Sequence, residues 1–305
     1  MNQSKAYAAA IGANFIFGSS YAVVKFLTPQ YMHPFALNMS RIIVAVSLFW
    51  VLNIIQPAKV KIDKKDVPRF LICALTGIVI NQIFFIKGLS LTSTIHTSLL
   101  SLGTPIFITI IAAWILHEKF TLLKAIGLAM GIGGASLLIL MKDHQPTGAN
   151  ILLGDVYVLI NAISYAFYLV LVRPLMQKYS PVQVLRWVFT IGAFGIIPFG
   201  MPQFIQVNWG AFQATQIIAL GYVTVFTTFF AYLFTVYSIS TIGPSATGVF
   251  TYTQPVFAAI IAILFAGEQL DGTKIIAGLL IFLGVYLTNL KNSKVKSTMI
   301  KSTNS

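Results

Sequence analysis

The sequence predicts an all-α polytopic membrane protein whose ten transmembrane helices form two inverted five-helix repeats. Three observations predict it. The chain is 57% hydrophobic and 9% charged over 305 residues, against the ~25% charge usual in soluble domains, and residues 187–267 hold no Asp, Glu, Lys or Arg. A span needs about 20 residues to cross about 30 Å of hydrocarbon, at about 1.5 Å per residue, so several crossings lie inside that run. Next, Pro105, Phe107, Ile110, Ile111, Ala112 and Glu118 return 150 positions later as Pro255, Phe257, Ile260, Ile261, Ala262 and Glu268. A period of that length is the size of a small domain and marks a duplication, not a solenoid unit. Finally, 15 of the 20 lysines and arginines fall on one side of the spans when the N-terminus is inside, as the positive-inside rule demands.

Cutting the chain at its charge and Pro/Gly clusters places helices at 5–27, 34–55, 68–87, 92–116 and 121–141, and again at 153–175, 181–201, 214–238, 244–266 and 271–290. The first contains Asn14, Ser19 and Ser20 and lacks a compact apolar region ending in a small-residue cleavage site, so it reads as a span, not a removed signal. Lys59, Lys61, Lys64, Lys65 and Arg69 separate the second and third helices, Lys119 and Lys124 border the fourth link, and Arg173, Lys178 and Arg186 border the sixth. With Lys5 and the tail lysines 291, 294, 296 and 301, these form the cytoplasmic set, leaving Lys25, Arg41, Lys87, Lys142 and Lys274 nearer the other face. Both termini are therefore expected to be cytoplasmic. Five crossings is an odd number, so the second copy enters from the opposite face. The expected organisation is a first repeat at 1–141, a linker at 142–152, a second repeat at 153–290 and a basic disordered cytoplasmic tail at 291–305.

The net charge of +13 accompanies no nucleic-acid-binding signature and sits mostly in short links between apolar stretches, which excludes nucleic acid as a partner class. Cys73 is alone, so no intrachain disulfide forms. No His, Cys, Asp and Glu cluster has metal spacing, and neither a metal nor a cofactor is expected. An intramembrane enzyme is the alternative from another class, and a channel-like pore is a third reading. The enzyme would need a nucleophile with a positioned base, yet His96 and Ser101 are not helical neighbours and no G-x-S-x-G elbow occurs. A two-part apolar molecule points to a transporter.

Helical spacing selects the residues that would carry transport. In the first helix Asn14, Gly18, Tyr21 and Lys25 recur at intervals of four, three and four, drawing one polar stripe along an apolar rod. The sixth carries Asn161, Tyr165 and Tyr168 at matching spacing. In the fourth helix Thr97, Ser101 and Thr104 lead to Pro105, and in the ninth Thr247, Thr251 and Gln254 lead to Pro255, every pair offset by 150. Proline removes a backbone donor and frees carbonyls that can face a cavity, so both prolines are expected as kinks. Packing between helices explains Ser and Thr equally well. His96 is a candidate for proton coupling or an interhelical hydrogen bond. Asn81 and Gln82 in the third helix, with Tyr232 and Tyr237 in the eighth, complete the candidates. Arg41, some seven residues into the second helix, is deep enough to need pairing or hydration. Lys25 and Lys87 near helix ends could attract a carboxylate or reach headgroups. Glu118 and Glu268 close their spans at tight links, where accepting from the next helix's free N–H groups is a structural role. Every aspartate falls in a link or at a helix start, which argues against a relay built on a buried carboxylate and for facilitated diffusion or exchange.

Order and recurrence of these motifs carry a family resemblance. Gly18-Ser19-Ser20-Tyr21, Pro34 with Arg41, Gly88 through Thr92, Pro105 through Glu118 with Gly127 and Gly134, then Pro255 through Glu268 with Gly278 and Gly284 resemble the EamA family of the drug/metabolite transporter superfamily over nearly the whole chain. One departure is that Glu118 to Gly127 spans nine positions while Glu268 to Gly278 spans ten. The resemblance implies transport of small organic solutes, often export of amino acids or other metabolites, through a central cavity open alternately to each side of the cell membrane. It fixes a class of activity and not the cargo. The expected motion is a rocking of the two repeats about a midplane cavity, with Pro105 and Pro255 near the closing regions.

Overall fold

Apolar sequence this long has one stable solution in hydrocarbon, because every backbone N–H and C=O must be satisfied internally. The computed structural model describes residues 3–55, 57, 60–101, 103–116, 122–140, 150–242, 250–266 and 271–289, and among these the regular structure is all helical. Helix α1 is Gln3–Leu27 and α2 is Pro34–Ile55. Helix α3, Lys64–Leu91, joins a short 3-10 turn to Val67–Ala74, a π-helical stretch Leu75–Ile80 and Asn81–Leu91. Then come α4 (Thr94–Ser101), α5 (Thr104–Leu116) and α6 (Leu122–Leu140). The second half has α7 (Ile151–Lys178) and α8 (Pro181–Phe204). Helix α9 runs from Ala214–Gly221 through a π-helical stretch Tyr222–Phe230 to Ala231–Ile242, and α10 (Gln254–Ala266) and α11 (Gly272–Asn289) follow.

Among the described residues six helices are long and apolar enough to cross a membrane, namely Gln3–Leu27, Pro34–Ile55, Lys64–Leu91, Ile151–Lys178, Pro181–Phe204 and Ala214–Ser238. Among the same residues, shorter apolar helical stretches lie at Thr94–Ile108, Ala125–Gly134, Val256–Phe265 and Ile275–Gly284, the first of them interrupted at Gly103. The expected single rod at 92–116 is two helices. Gly103 turns the chain through an N–H donated to the Leu100 carbonyl at 3.0 Å, and Pro105 takes the second position of α5, where a missing N–H costs no hydrogen bond. Pro255 likewise holds the second position of α10, directly after a 3-10 turn over Phe250–Thr253. Both prolines thus begin helices at a break instead of bending continuous ones. Conversely, α7 runs through Pro174 and α8 through Pro198 and Pro202, so those helices end later than the proline and charge signals suggest. Side chains cap the starts, with Asn150 Oδ1 accepting from Leu153 N at 3.1 Å and Ser180 Oγ accepting from Gln183 N at 3.3 Å.

Packing repeats between the halves. Helix α3 lies along α7 as α9 lies along α1, and α5 lies along α7 as α10 lies along α1, while α2 pairs with α8 and α6 with α11. Each pairing has its counterpart when first-half helices are exchanged for their second-half equivalents. The two π-helical stretches obey the same exchange, each beginning eight residues after the α-helical start of its rod, Val67 or Ala214. An apolar core including Phe49, Phe70, Ile78, Val172 and Phe189 joins α2, α3, α7 and α8. Glycines set the α6–α11 crossing: a Cβ on Gly134 would lie 2.8 Å from the Ala277 carbonyl, and one on Gly284 would lie 2.5 Å from that of Gly127. Gly134 and Gly284 are 150 residues apart, so the one-residue difference after the glutamates does not disturb this crossing. Glu118, Glu268, Thr247, most of the 142–152 linker and the tail lie outside the described residues.

Candidate functional site

The polar stripe of α1 faces protein along its length. Asn14 donates from Nδ2 to the Ala10 carbonyl at 2.7 Å, and its Oδ1 accepts from Gln254 Nε2 at 2.7 Å across 240 residues of sequence. Tyr21 reaches the other end of the same amide, with its hydroxyl 3.4 Å from Gln254 Oε1. Gly18, between them, permits this approach, since a Cβ there would come 2.7 Å from the Gln254 carbonyl. Lys25, further along the stripe, donates to the carbonyls of Leu89 and Thr92 where α3 ends, a cation placed at the negative end of a helix. Asn14, Tyr21 and Gln254 are therefore one cluster, built where α1 meets α10.

The remaining stripe residues divide. Ser101 and Thr97 donate to carbonyls in or next to their own helix, Ser101 to Thr97 at 2.7 Å and Thr97 to Ser93 at 2.9 Å, while Ser101 also lies beside the Tyr21 hydroxyl. Thr104 is buried at the start of α5, and Thr251 is half-buried in the turn before α10. From α7, Asn161 donates to the Asn81 carbonyl at 2.8 Å, and Tyr165 and Tyr168 stack with ring centroids 5.8 Å apart. Ser164, which spacing overlooked, donates to the Thr76 carbonyl at 2.6 Å inside the α3 π-helical stretch, supplying a bond to a distorted backbone.

A second polar cluster lies where α2, α3 and α9 meet. Arg41 is 5% exposed, and its Nε donates to Thr228 Oγ1 at 2.9 Å. Thr228 in turn donates to the Val223 carbonyl at 3.0 Å, five residues back, which is the spacing of a π-helical turn. Asn38, one turn before Arg41, donates to the Gln82 carbonyl at 2.9 Å. Tyr232, one turn after Thr228, lies beside both Arg41 and Gln82 and stands edge-on to Phe17 with centroids 5.8 Å apart. Thr228 was not among the expected residues; its only signal was a hydroxyl pair, Thr227-Thr228, inside the uncharged run.

His96 is fully enclosed and does form an interhelical bond, with an unexpected partner. Its Nδ1 lies 2.9 Å from Asp155 Oδ2, and Thr92 Oγ1 donates to Asp155 Oδ1 at 2.6 Å. Asp155 sits in the second turn of α7, near the helix start as expected, yet it is 0% exposed. A place at a helix start argued against a relay built on a buried carboxylate, yet Asp155 keeps that place and is buried there: α3 and α4 dock over the α7 start through Gly88 and Gly154, where a Cβ on Gly154 would lie 2.8 Å from Thr92. At the far end of these helices Lys178 meets Asp66 at 2.6 Å and Asp63 at 3.3 Å, and the Tyr179 hydroxyl donates to Asp66 at 2.6 Å. Tyr237 lies on α9. Among the described residues no group of three or more His, Cys, Asp or Glu is arranged to hold a metal.

A bundle of apolar helices with paired halves and enclosed polar side chains at their junction defines a multi-pass membrane protein of the transporter class. The chain belongs to the EamA-like transporter family, within the drug/metabolite transporter superfamily, with the family model matching twice, at residues 4–140 and 152–290. It is 26% identical over 272 residues to an uncharacterised transporter of Archaeoglobus fulgidus, covering 88% of this chain and 93% of that one. The uncharacterised transporter YetK of Bacillus subtilis is 22% identical, over 96% of this chain and 89% of its own. A WAT1-related protein of Arabidopsis thaliana is 26% identical over 77% of this chain and 70% of its own. One solved crystal structure superposes with a TM-score of 0.62 at 17% identity, covering 98% of this chain and all of that one, a likeness of fold.

Proposed function

We propose that this protein moves small organic metabolites, amino-acid-like solutes or related compounds, out across the cytoplasmic membrane by alternating access. Its ten apolar segments cross the membrane as two inverted repeats with both termini in the cytoplasm. The observation that carries this reading is the Asn14–Tyr21–Gln254 cluster, formed between α1 of one repeat and α10 of the other, beside the broken helix pairs. A site shared by two repeats changes access when one repeat rocks against the other, and the breaks at Gly103–Pro105 and Thr253–Pro255 are the places where backbone angles absorb that motion. Facilitated diffusion or exchange is the proposed mode, because both Asp155 oxygens are already committed, to Thr92 and His96.

Counterflow into liposomes holding trapped substrate tests the carrier directly, and flux that fails to saturate would instead identify a pore. In a Cys73→Ser background, cysteines placed at Thr97 and Gln254 are expected to label from one face at a time, with the balance shifted by substrate. Labelling from both faces at once, or from neither, contradicts alternating exposure. Uphill flux driven by a pH gradient and undiminished in His96→Ala would overturn the proposed mode.

A further inference from the structure

Arg41 is a buried cation with no anion paired to it among the described residues. Among the described residues no carboxylate forms an ion pair with it: Asp63 and Asp66 hold Lys178, Asp155 holds His96, and Asp271 stands at the start of α11. Its hydrogen-bond partner Thr228 is a neutral hydroxyl. The guanidinium Nη1 is enclosed and bonded to nothing. Burying a charge without a counter-charge is strongly unfavourable, and buried polar groups in folded proteins are nearly always satisfied, so an enclosed guanidinium of this kind calls for a partner that none of the described residues supplies.

Gln82 extends the argument. It is 1% exposed, its amide atoms make no hydrogen bond of regular geometry although the Tyr232 hydroxyl lies beside them, and the Oδ1 of Asn38 is unmatched as well. Asn38 and Arg41 share one face of α2 at a spacing of three, and Asn38 binds the Gln82 backbone, which brings the orphaned groups of α2 and α3 to one place. Both π-helical stretches deliver to it: Leu75–Ile80 ends one residue before Asn81, and Tyr222–Phe230 contains Thr228. Such stretches cost regular hydrogen bonding and are frequent at functional sites. Aromatic surfaces adjoin them: Tyr232 lies beside Arg41 and Gln82 and edge-on to Phe17, and Tyr165, stacked on Tyr168, neighbours Tyr232.

We infer that Arg41 Nη1 and Gln82 Nε2 seat the carboxylate of an organic anion whose apolar body packs on Tyr165, Tyr168 and Tyr232. A planar guanidinium donor and an amide donor suit the two oxygens of a carboxylate. One cation balances a monoanion, and a phosphate dianion would leave a buried net charge. The inference rests on the transporter reading above for its place in a cycle, and it adds the substrate class and the residues that select it.

Binding tests it on the full-length chain in lipid nanodiscs, read as the ligand-dependent rise in thermal midpoint. The probes are phenylacetate and 4-phenylbutyrate, each against its primary amide, with phenylphosphonate as the phosphate-like arm. At least one carboxylate is expected to stabilise the protein at a concentration tenfold lower than its amide needs. Arg41→Gln removes that preference, Arg41→Lys restores part of it, and Gln82→Leu weakens it severalfold. Because the acid-to-amide comparison is made on the unaltered chain, it decides the matter even if Arg41→Gln does not fold. Equal stabilisation by acid and amide, or a preference for phenylphosphonate, overturns the inference. Counterflow of a neutral solute without carboxylate preference would sink the carboxylate seat and leave transport standing. Carboxylate binding that depends on Arg41 but gives no counterflow for the same compound would do the reverse.

Discussion

At the scale of the residue, the largest energies belong to charges that the fold removes from water. Asp155 and His96 satisfy each other, and Thr92 takes the remaining carboxylate oxygen. Truncating one partner of such a buried pair costs about 3–5 kcal/mol, because the other is left uncompensated. Asp155→Ala is therefore expected to lower stability by about 3 kcal/mol, while Asp155→Asn, which keeps two hydrogen-bonding atoms, costs less. Denaturant unfolding of the purified protein, followed by helical circular dichroism, measures both, and equal losses would show that an amide of the same shape replaces none of the carboxylate's bonding there. Asp63 presents the opposite case. Its carboxyl is held below the usual range by the Lys65 backbone N–H and the Lys178 ammonium, so the latch to Lys178 contributes above the ordinary carboxylate value, about 3.9. That contribution is lost as pH falls through the depressed folded value. The thermal midpoint is expected to be insensitive to this group between about pH 5 and 8 and to fall below about pH 4, with Lys178→Met reducing the acid-side drop in a pH series.

At the scale of the element, glycine and proline decide geometry in different ways. A side chain at Gly284 would press on backbone atoms of Gly127 and Gly131, at 2.5 and 2.6 Å, and backbone in a paired helix cannot step aside. Gly284→Ala is expected to destabilise by about 1–3 kcal/mol, whereas Gly133→Ala, where nothing lies within 4 Å, is neutral or slightly stabilising. Thermal midpoints of the two variants check the pair, and similar losses would contradict the close crossing. The prolines were legible in sequence as helix disturbances, but the difference between kink and break was not. It depends on Gly103 and on the turn at Phe250–Thr253, whose conformations are set by the packing of α4 and α10 against neighbours. The π-helical stretches had no sequence signal beyond small or hydroxylated residues, because an extra residue per turn is stabilised by partners from other helices, such as Ser164 bonding Thr76.

For the whole molecule, pairing of the halves is the organising fact. Exchange of the repeats maps α3–α7 onto α9–α1 and leaves α2–α8 and α6–α11 in place, so a change in one half has an equivalent in the other. Under the proposed mechanism one of the two crossings that map onto themselves, α6–α11, serves as a fixed scaffold, while α4 with α5 and α10 move. A disulfide engineered across α6–α11, at positions other than Gly134 and Gly284 where a Cβ would meet the partner helix backbone, is accordingly expected to leave counterflow largely intact when oxidised. Loss of counterflow that returns on reduction would show that this crossing moves.

How much was readable in advance follows from which interactions are local. Composition, the 150-residue repeat and the lysine distribution are properties of the chain itself, and they determined a helical membrane protein in two related halves. Helical periodicity also placed Asn14 and Tyr21 on one face, and the offset of 150 singled out Gln254. What periodicity could not supply was the partner across the bundle: that Asn14 meets Gln254, that Thr228 receives Arg41, that Asp155 is sealed beneath Thr92 and His96. Sequence by itself fixed which residues are too polar for lipid, because transfer energy is a property of the side chain. Tertiary structure alone decided which of those residues satisfy one another and which polar atoms, like Arg41 Nη1, are enclosed with their bonding incomplete, because burial and hydrogen bonding exist only once the helices have packed.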